Sequence, residues 1–150
     1  VKTLIVYASR TGNTERLANI LYEKSLEAGN ETDYVEVGDV HVQKLSSYEA
    51  CIVVTYTWGS GDLPREMIPL FKAFERADLW RLVTGVAGTG DQCYPHYCGA
   101  VDRFRDMLHA KTDLAVTLKV ELAPQQSDVE KCSLFIDKLI ARKRILLSAH

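Results

Sequence analysis

The chain has 150 residues, 47% of them hydrophobic and 25% charged, which fits one globular domain over residues 1–150 with a core of its own. Its 18 basic and 20 acidic side chains give a net charge of −2, a balance that offers no general case for nucleic acid or an anionic membrane as partner. No apolar run approaches a membrane span and no signal peptide precedes the first strand, so the expectation is a cytoplasmic protein, and nothing demands more than a monomer.

Lys2–Tyr7 is short, β-branched and almost wholly apolar, and reads as the first strand. The first helix runs from about Asn13 to Ala28, with Leu17, Ile20 and Leu21 at i, i+3, i+4 spacing, and ends at Gly29-Asn30. Thr32–Val37 is the second strand, broken by Gly38-Asp39, and Val40–Ser47 is either a short helix or an irregular crossover. Ala50–Tyr56 is a continuous apolar run, as expected of a parallel strand covered on both faces. After the loop Thr57–Pro64, a helix opens at Pro64 and Arg65 and runs to about Arg76. Its inner face is expected to carry Ile68, Phe71 and Phe74, and Pro69 can shift its first turn. Leu82–Ala87 is the fourth strand and Gly88–Cys98 the loop after it. A helix over about Gly99–Ala110 buries Val101, Phe104 and Leu108, and Leu114–Leu122 is the fifth strand. Ser127 caps the last helix, with Glu130 completing a capping box. That helix carries Leu134, Phe135, Lys138 and Leu139 and ends in the solvated basic run Arg142-Lys143-Arg144.

Strands alternating with helices make an α/β doubly wound parallel sheet with helices on both faces. Ligands of such sheets bind beyond the carboxyl ends of the strands. The loops after strands one, three and four all emerge there and converge on one site.

Each of these loops has its own chemistry. The first offers hydroxyls at Ser9, Thr11 and Thr14, an amide at Asn13 and a glycine at Gly12, all at a helix N-terminus. An ordinary N-cap, at Thr11 or Asn13, needs only one such residue. Their density points to a phosphate cradle, where free backbone N–H groups and the helix dipole favour an anion. The loop is neither a Walker A sequence nor a Gly-x-Gly-x-x-Gly turn. The second loop sets Trp58 beside Gly59 and Gly61; the third sets Tyr94 between Asp91 and Pro95. Taken singly, Trp58 is a loop anchor and Tyr94 a surface tyrosine. Together, beside a cradle, they point to a nucleotide whose flat ring lies between two aromatic faces. The cysteines Cys51, Cys93, Cys98 and Cys132 read as reduced thiols. Cys93-x-x-His96-x-Cys98 supplies only three ligands on one loop, with no second cluster, and is not taken as a metal centre.

Three motifs together resemble the FMN loops of the flavodoxin family: Ser9-x-Thr11-Gly12-Asn13-Thr14, Thr57-Trp58-Gly59 and Gly88-x-Gly90-Asp91-x-x-Tyr94…Cys98-Gly99-Ala100-Val101-Asp102. They match in order and spacing over essentially the whole chain, and the absence of a long insertion at the fifth strand resembles the short-chain branch. The resemblance implies a flavodoxin-like five-stranded sheet of order 2-1-3-4-5 and one non-covalently bound FMN. It implies that Ser9, Thr11, Asn13 and Thr14 hold the phosphate with their side chains, helped by the backbone of Arg10 and Gly12 and by Thr57. Trp58 would cover the inner flavin face and Tyr94 the outer. Gly88, Thr89, Asp91 and Cys98 would meet the pyrimidine edge, with Ser60, Gly90 and Tyr97 also in contact with the cofactor. Gly59 would turn its carbonyl to flavin N5 once that atom is protonated, favouring a neutral semiquinone. The implied function is a low-potential one-electron carrier, moving through quinone, neutral semiquinone and hydroquinone states, with no substrate of its own. Its implied donor is an NAD(P)H-dependent flavodoxin/ferredoxin reductase or a similar protein, and its acceptors are redox enzymes.

The sequence departs from the family's pattern in its charges. Many relatives carry an acidic residue after the flipping glycine; this chain has Ser60, with Asp62 two positions on. Arg10 lies in the phosphate loop, and Arg65 and His96 lie on adjoining loops. These features lead to the expectation of a hydroquinone potential less negative than is usual. They also keep open an alternative, a specialised flavodoxin-like activator of a single partner enzyme such as manganese ribonucleotide reductase. A nicotinamide-using flavin reductase is disfavoured because no second nucleotide loop is present.

Overall fold

Alternation along the strands decides which side chains meet which helices. Leu4, Val6 and Ala8 face one layer, whereas Ile5 and Tyr7 face the other. Cys51 and Val53 against Ile52 and Val54 repeat the division one strand over. A strand apolar on both faces needs cover on both, and the chain supplies it.

A computed structural model describes residues 1–8, 10 and 12–148. In chain order the elements are β1 (Thr3–Tyr7), α1 (Gly12–Glu27), β2 (Thr32–Glu36), β3 (Ala50–Tyr56), α2 (Ile68–Arg76), β4 (Val83–Gly90), α3 (Gly99–Lys111), β5 (Asp113–Glu121) and α4 (Gln126–Ser148). The strands form one parallel sheet in the order β2-β1-β3-β4-β5, as the resemblance implied. Leu17 and Leu21 of α1 and Phe135 and Leu139 of α4 fill one side of it. Met67, Leu70 and Phe74 at α2, with Phe104 and Leu108 of α3, fill the other.

The open segment between β2 and β3 consists of two 3-10 turns, Val37–Asp39 and Val42–Ser47, with Leu45 buried beneath the second. At the end of α1 the N–H of Gly29 donates to Leu26 O at 3.0 Å and that of Asn30 to Ser25 O at 3.1 Å, closing the helix where expected.

Four expectations need correction. First, β4 does not stop at Ala87 but continues to Gly90, because Gly88 and Thr89 stay paired with Thr55 and Tyr56 of β3. The glycine that reads as a loop serves close packing instead, since a Cβ at residue 88 would lie 2.4 Å from Val101 Cγ2 and 2.5 Å from Thr55 O. Second, Ile68 is not on the inner face of α2: it is 38% exposed, while Met67, Leu70 and Phe74 are buried. A 3-10 turn at Arg65–Met67 precedes α2 and rotates its phase.

Third, the start of α4 is held by Asp128 and not by the Ser127/Glu130 pair. The Gln125 N–H donates to Asp128 Oδ2 at 2.8 Å, the backward half of a capping box two residues ahead of the expected frame. Fourth, α4 runs beyond Arg142-Lys143-Arg144 to Ser148. Arg142 is tied to Asp113 by two hydrogen bonds of 2.8 and 2.9 Å, which clamp α4 to the start of β5.

The tightness of the α4 face yields a stability prediction. A Cβ at Gly85 would lie 2.6 Å from Phe135 Cζ and 3.0 Å from Val116 Cγ1. Gly85→Ala is therefore expected to lower unfolding free energy by about 1–3 kcal/mol through overpacking, read from the urea midpoint at unchanged slope.

Candidate functional site

The carboxyl ends of β1, β3 and β4 open into a cleft of about 580 Å³, its mouth included. The loop after β1 contributes Asn13; the loop after β3 contributes Thr57 and Gly59. The β4 end and the loop beyond it contribute Thr89, Gly90, Asp91, Tyr94 and Cys98. The three loops singled out in the sequence therefore do meet.

Ala8 leaves β1 with its N–H still bonded to Val54 O at 3.1 Å. Helix α1 begins at Gly12, so the helix itself supplies no acceptor for its first backbone N–H groups. Asn13 belongs to this first turn instead of capping it. Thr14 is buried, and its hydroxyl shares a 2.9 Å hydrogen bond with that of Thr89, tying the helix start to β4. Ser9 and Thr11, the other hydroxyls expected in the cradle, lie outside the described residues.

The loop after β3 is a tight hairpin. Trp58 N–H donates to Asp62 O and Asp62 N–H to Trp58 O, both at 2.8 Å. The reversal passes through Gly59 at φ +54° and Gly61 at φ +123°, and the second of these is costly for any side chain. Gly61 is also pressed from outside: a Cβ there would lie 2.9 Å from His96 Cβ, and a Cβ on Gly99 would lie 2.6 Å from Gly61 Cα. Thr57 Oγ1 accepts a 3.2 Å hydrogen bond from Ala100 N–H in the first turn of α3, while its own proton remains available to a ligand. Arg103 of α3 reaches Asp62 at 3.6 Å.

Of the two expected aromatics, Tyr94 is 56% exposed and lines the cleft, and Trp58 is 48% exposed. The Trp58 ring carries the Arg10 guanidinium 4.2 Å from its centroid. Ser60 is exposed at the hairpin tip. Tyr97 is half-buried against the α2/α3 layer, with Lys119 over its ring.

Cys98 starts α3 from a left-handed conformation, φ +52°. It fits because Gly90 leaves room; a Cβ at residue 90 would lie 2.7 Å from the Cys98 sulfur. Asp91 Oδ1 accepts from Cys93 N–H at 2.9 Å and holds the outer loop in a turn. Among the described residues no three His, Cys, Asp or Glu side chains are placed to hold a metal ion.

Sequence reasoning did not assign Tyr56, His96 or Leu122 to the lining, although all three belong to it. His96 was legible only as a rim residue. Leu122 arrives from the far end of β5, its N–H bonded to Gly90 O at 2.8 Å, and no local signal marks it. Tyr56 ends a core strand; its hydroxyl donates to Glu66, and burial, then that carboxylate, pushes it up to about 12.

The four cysteines are free, with only Cys93 exposed. Burial pushes the Cys98 thiol up to about 11 and those of Cys51 and Cys132 up to about 12. Brief alkylation of the native protein at pH 8 is expected to label Cys93 alone, and unfolding to release the other three. Peptide mass spectrometry checks this, and labelling of Cys98 as fast as Cys93 would contradict the burial described.

Comparison with known proteins agrees with this geometry. The flavodoxin family model matches residues 5–135. The Bacillus subtilis (strain 168) protein named "Probable flavodoxin 1" is 42% identical over 144 residues, covering 93% of this chain and 90% of its own. The solved Streptococcus pneumonia TIGR4 flavodoxin is 33% identical and superposes with a TM-score of 0.90 over 95% of this chain and 99% of its own. The NADPH sulfite reductase flavoprotein alpha-component of Thiocapsa roseopersicina is 29% identical over 86% of this chain, but over only 26% of that protein. A helix start at the cleft, a buried threonine pair and an aromatic-lined cleft fit what this family holds, and the chain belongs to the flavodoxin family, whose members bind FMN and carry electrons.

Proposed function

We propose that this chain is a low-potential one-electron carrier that binds FMN non-covalently in the cleft and has no substrate of its own. The observation that carries the reading is the meeting of all three loops in one cleft, with Asn13, Thr57, Gly59, Asp91 and Tyr94 on its walls. FMN, when bound, supplies reversible uptake of one or two electrons. The first turn of α1, from Gly12 to Thr14, receives the phosphate together with Ser9 and Thr11, which lie outside the described residues. Thr57 donates its hydroxyl proton to the same anion. Tyr94, on the cleft wall, would cover one ring face, and Trp58, on the neighbouring hairpin, would cover the other. Backbone of Gly88 and Thr89, with Gly90, Asp91, Tyr97 and Cys98, borders the ring edge.

Gly59 supplies the switch. Among the described residues a Cβ there would meet only Asp62 Oδ2, at 3.9 Å, so the peptide after Gly59 has room to turn its carbonyl toward the cleft. With FMN bound, a carbonyl from this peptide would accept a hydrogen bond from a protonated ring nitrogen and so would favour uptake of electrons one at a time. One such hydrogen bond contributes about 1 kcal/mol net.

The donor is a flavoprotein reductase using a pyridine nucleotide, and the acceptors are redox enzymes. Likeness to part of a protein named as an NADPH flavoprotein supports this class of donor. The cleft mouth, rimmed by Ser60, Asp62, Arg65, Tyr94 and His96, is the docking face, and such contacts are weak and salt-sensitive. Four free cysteines support a reducing, cytoplasmic setting. No helix among the described residues is long and apolar enough to cross a membrane.

Anaerobic stepwise reduction followed by visible absorbance tests the reading. A yellow protein that turns blue at half reduction is the expected result. Bleaching in a single step would move the reading to a specialised activator of one partner enzyme, and failure to bind FMN would end it. A second expectation concerns Ser60. A carboxylate about 8 Å from a new negative charge costs about 2 kcal/mol at an effective dielectric of about 20. Ser60→Asp should therefore lower the potential of the second electron by up to about 90 mV in low salt, and less in high salt. An unchanged potential would remove this account of Ser60.

A further inference from the structure

We propose that Arg10 is a fixed cation acting on the cofactor across the Trp58 ring, and that it selectively raises the potential of the second electron. The inference rests on the FMN reading above. It starts from the Arg10 guanidinium, 4.2 Å from the Trp58 ring centroid. The residue that carries the ring is anchored through its backbone. Its backbone is locked in both directions to Asp62 by 2.8 Å hydrogen bonds, and the hairpin is wedged against the start of α3 through Gly61 and Gly99.

Arg10 keeps its charge uncancelled. Among the described residues no carboxylate lies within salt-bridge distance of it, whereas Arg103 is paired with Asp62 and Arg142 with Asp113. The nearby carboxylates are engaged elsewhere: Asp62 faces Arg103, and Glu66 accepts the Tyr56 hydroxyl. Arg10 also acts on Tyr56, where it opposes the upward push of burial and Glu66 on the phenol. One guanidinium thus lies between the aromatic loop and the end of β3, on the segment that leads into the phosphate cradle.

The sign of the effect follows from charge balance. An electron that arrives from the external donor together with a proton leaves the ring's net charge unchanged, and a neighbouring cation is nearly indifferent to it. An electron that arrives alone leaves one net negative charge, which a cation stabilises. A guanidinium stacked on an aromatic face is weakly hydrated and has no proton of its own to lose, and because Arg10 is exposed its pull on that charge is open to screening by salt. Arg10 therefore acts on the second electron and spares the first. The interval over which the half-reduced state dominates becomes narrower, and the chain suits donors and acceptors of less negative potential.

The test compares the FMN-loaded protein with Arg10→Gln, which removes the charge, and Arg10→Lys, which keeps it but loses the planar stack. Spectroelectrochemical titration at low and high salt reads both potentials. Fluorescence titration of each apoprotein with FMN and with riboflavin, which lacks the phosphate, reads binding separately. Arg10→Gln should lower the second potential by an amount equivalent to about tenfold, or about 59 mV, with the first moving by less than a third of that. Arg10→Lys should stay within about threefold of the parent, and 1 M salt should shrink the Arg10→Gln effect. The proposal is overturned if Arg10→Lys behaves like Arg10→Gln, if both potentials move together, or if Arg10→Gln weakens FMN but not riboflavin binding and leaves both potentials in place. A parent protein that binds no FMN would overturn the functional reading itself, and this proposal with it.

Discussion

The cleft exists because two backbones come into contact, the hairpin after β3 and the first turn of α3. Gly61 and Gly99 have no side chains to keep them apart, and any Cβ added at either would collide. The contact is reinforced by polar bonds of modest individual strength, from Ala100 N–H to Thr57 and from Arg103 to Asp62. From this joint the aromatic hairpin on one side and the Tyr94 loop on the other both take their positions. A parallel sheet of this order would still form without the joint, but its loops would have no common reference.

The β4 end depends on the same logic. Gly88 and Gly90 let α3 approach so closely that Cys98 is buried beside Gly90, and Val101 lies against the strand. At the end of the 91–98 loop Cys98 enters α3 from a left-handed conformation, packed against Gly90. Leu122 takes up a matching left-handed conformation at the end of β5 and bonds to Gly90. Rigid packing therefore reaches the cleft from the α3 side. On the β1 side the order comes from the Thr14–Thr89 hydrogen bond, which ties the start of α1 to β4.

Much of this was legible in the sequence, for definite reasons. Strand runs such as Ala50–Tyr56 are too apolar to be anything but doubly covered, and helices such as Gly99–Lys111 keep their apolar residues in strict phase. The three loops were legible because hydroxyls, glycines and aromatics are not what an ordinary turn requires. Where reading failed, a tertiary contact outweighed a local signal. Gly88 looked like a loop but is a strand residue under Val101. Ile68 looked like core until the 3-10 turn before it shifted the helix phase. Arg142 looked like a solvated helix end, but Asp113, distant in sequence, holds it. The same holds for the site: Leu122 enters the cleft through a long-range strand pairing that no motif announces.

Electrostatics and packing meet at the aromatic hairpin, and there the chain's individuality lies. The hairpin's backbone is fixed by glycines and by α3, so side-chain charge can vary without moving the ring. A neutral Ser60 occupies its tip, Asp62 is already paired with Arg103, and Arg10, with no carboxylate at salt-bridge distance among the described residues, lies on its ring. All three act in the same direction, reducing the negative field that an added electron would meet. A carrier's fold sets where its cofactor sits, and these exposed charges set how strongly it holds the last electron. Because they lie outside the core, they can change with little effect on stability, so a single scaffold can serve partners of different potential.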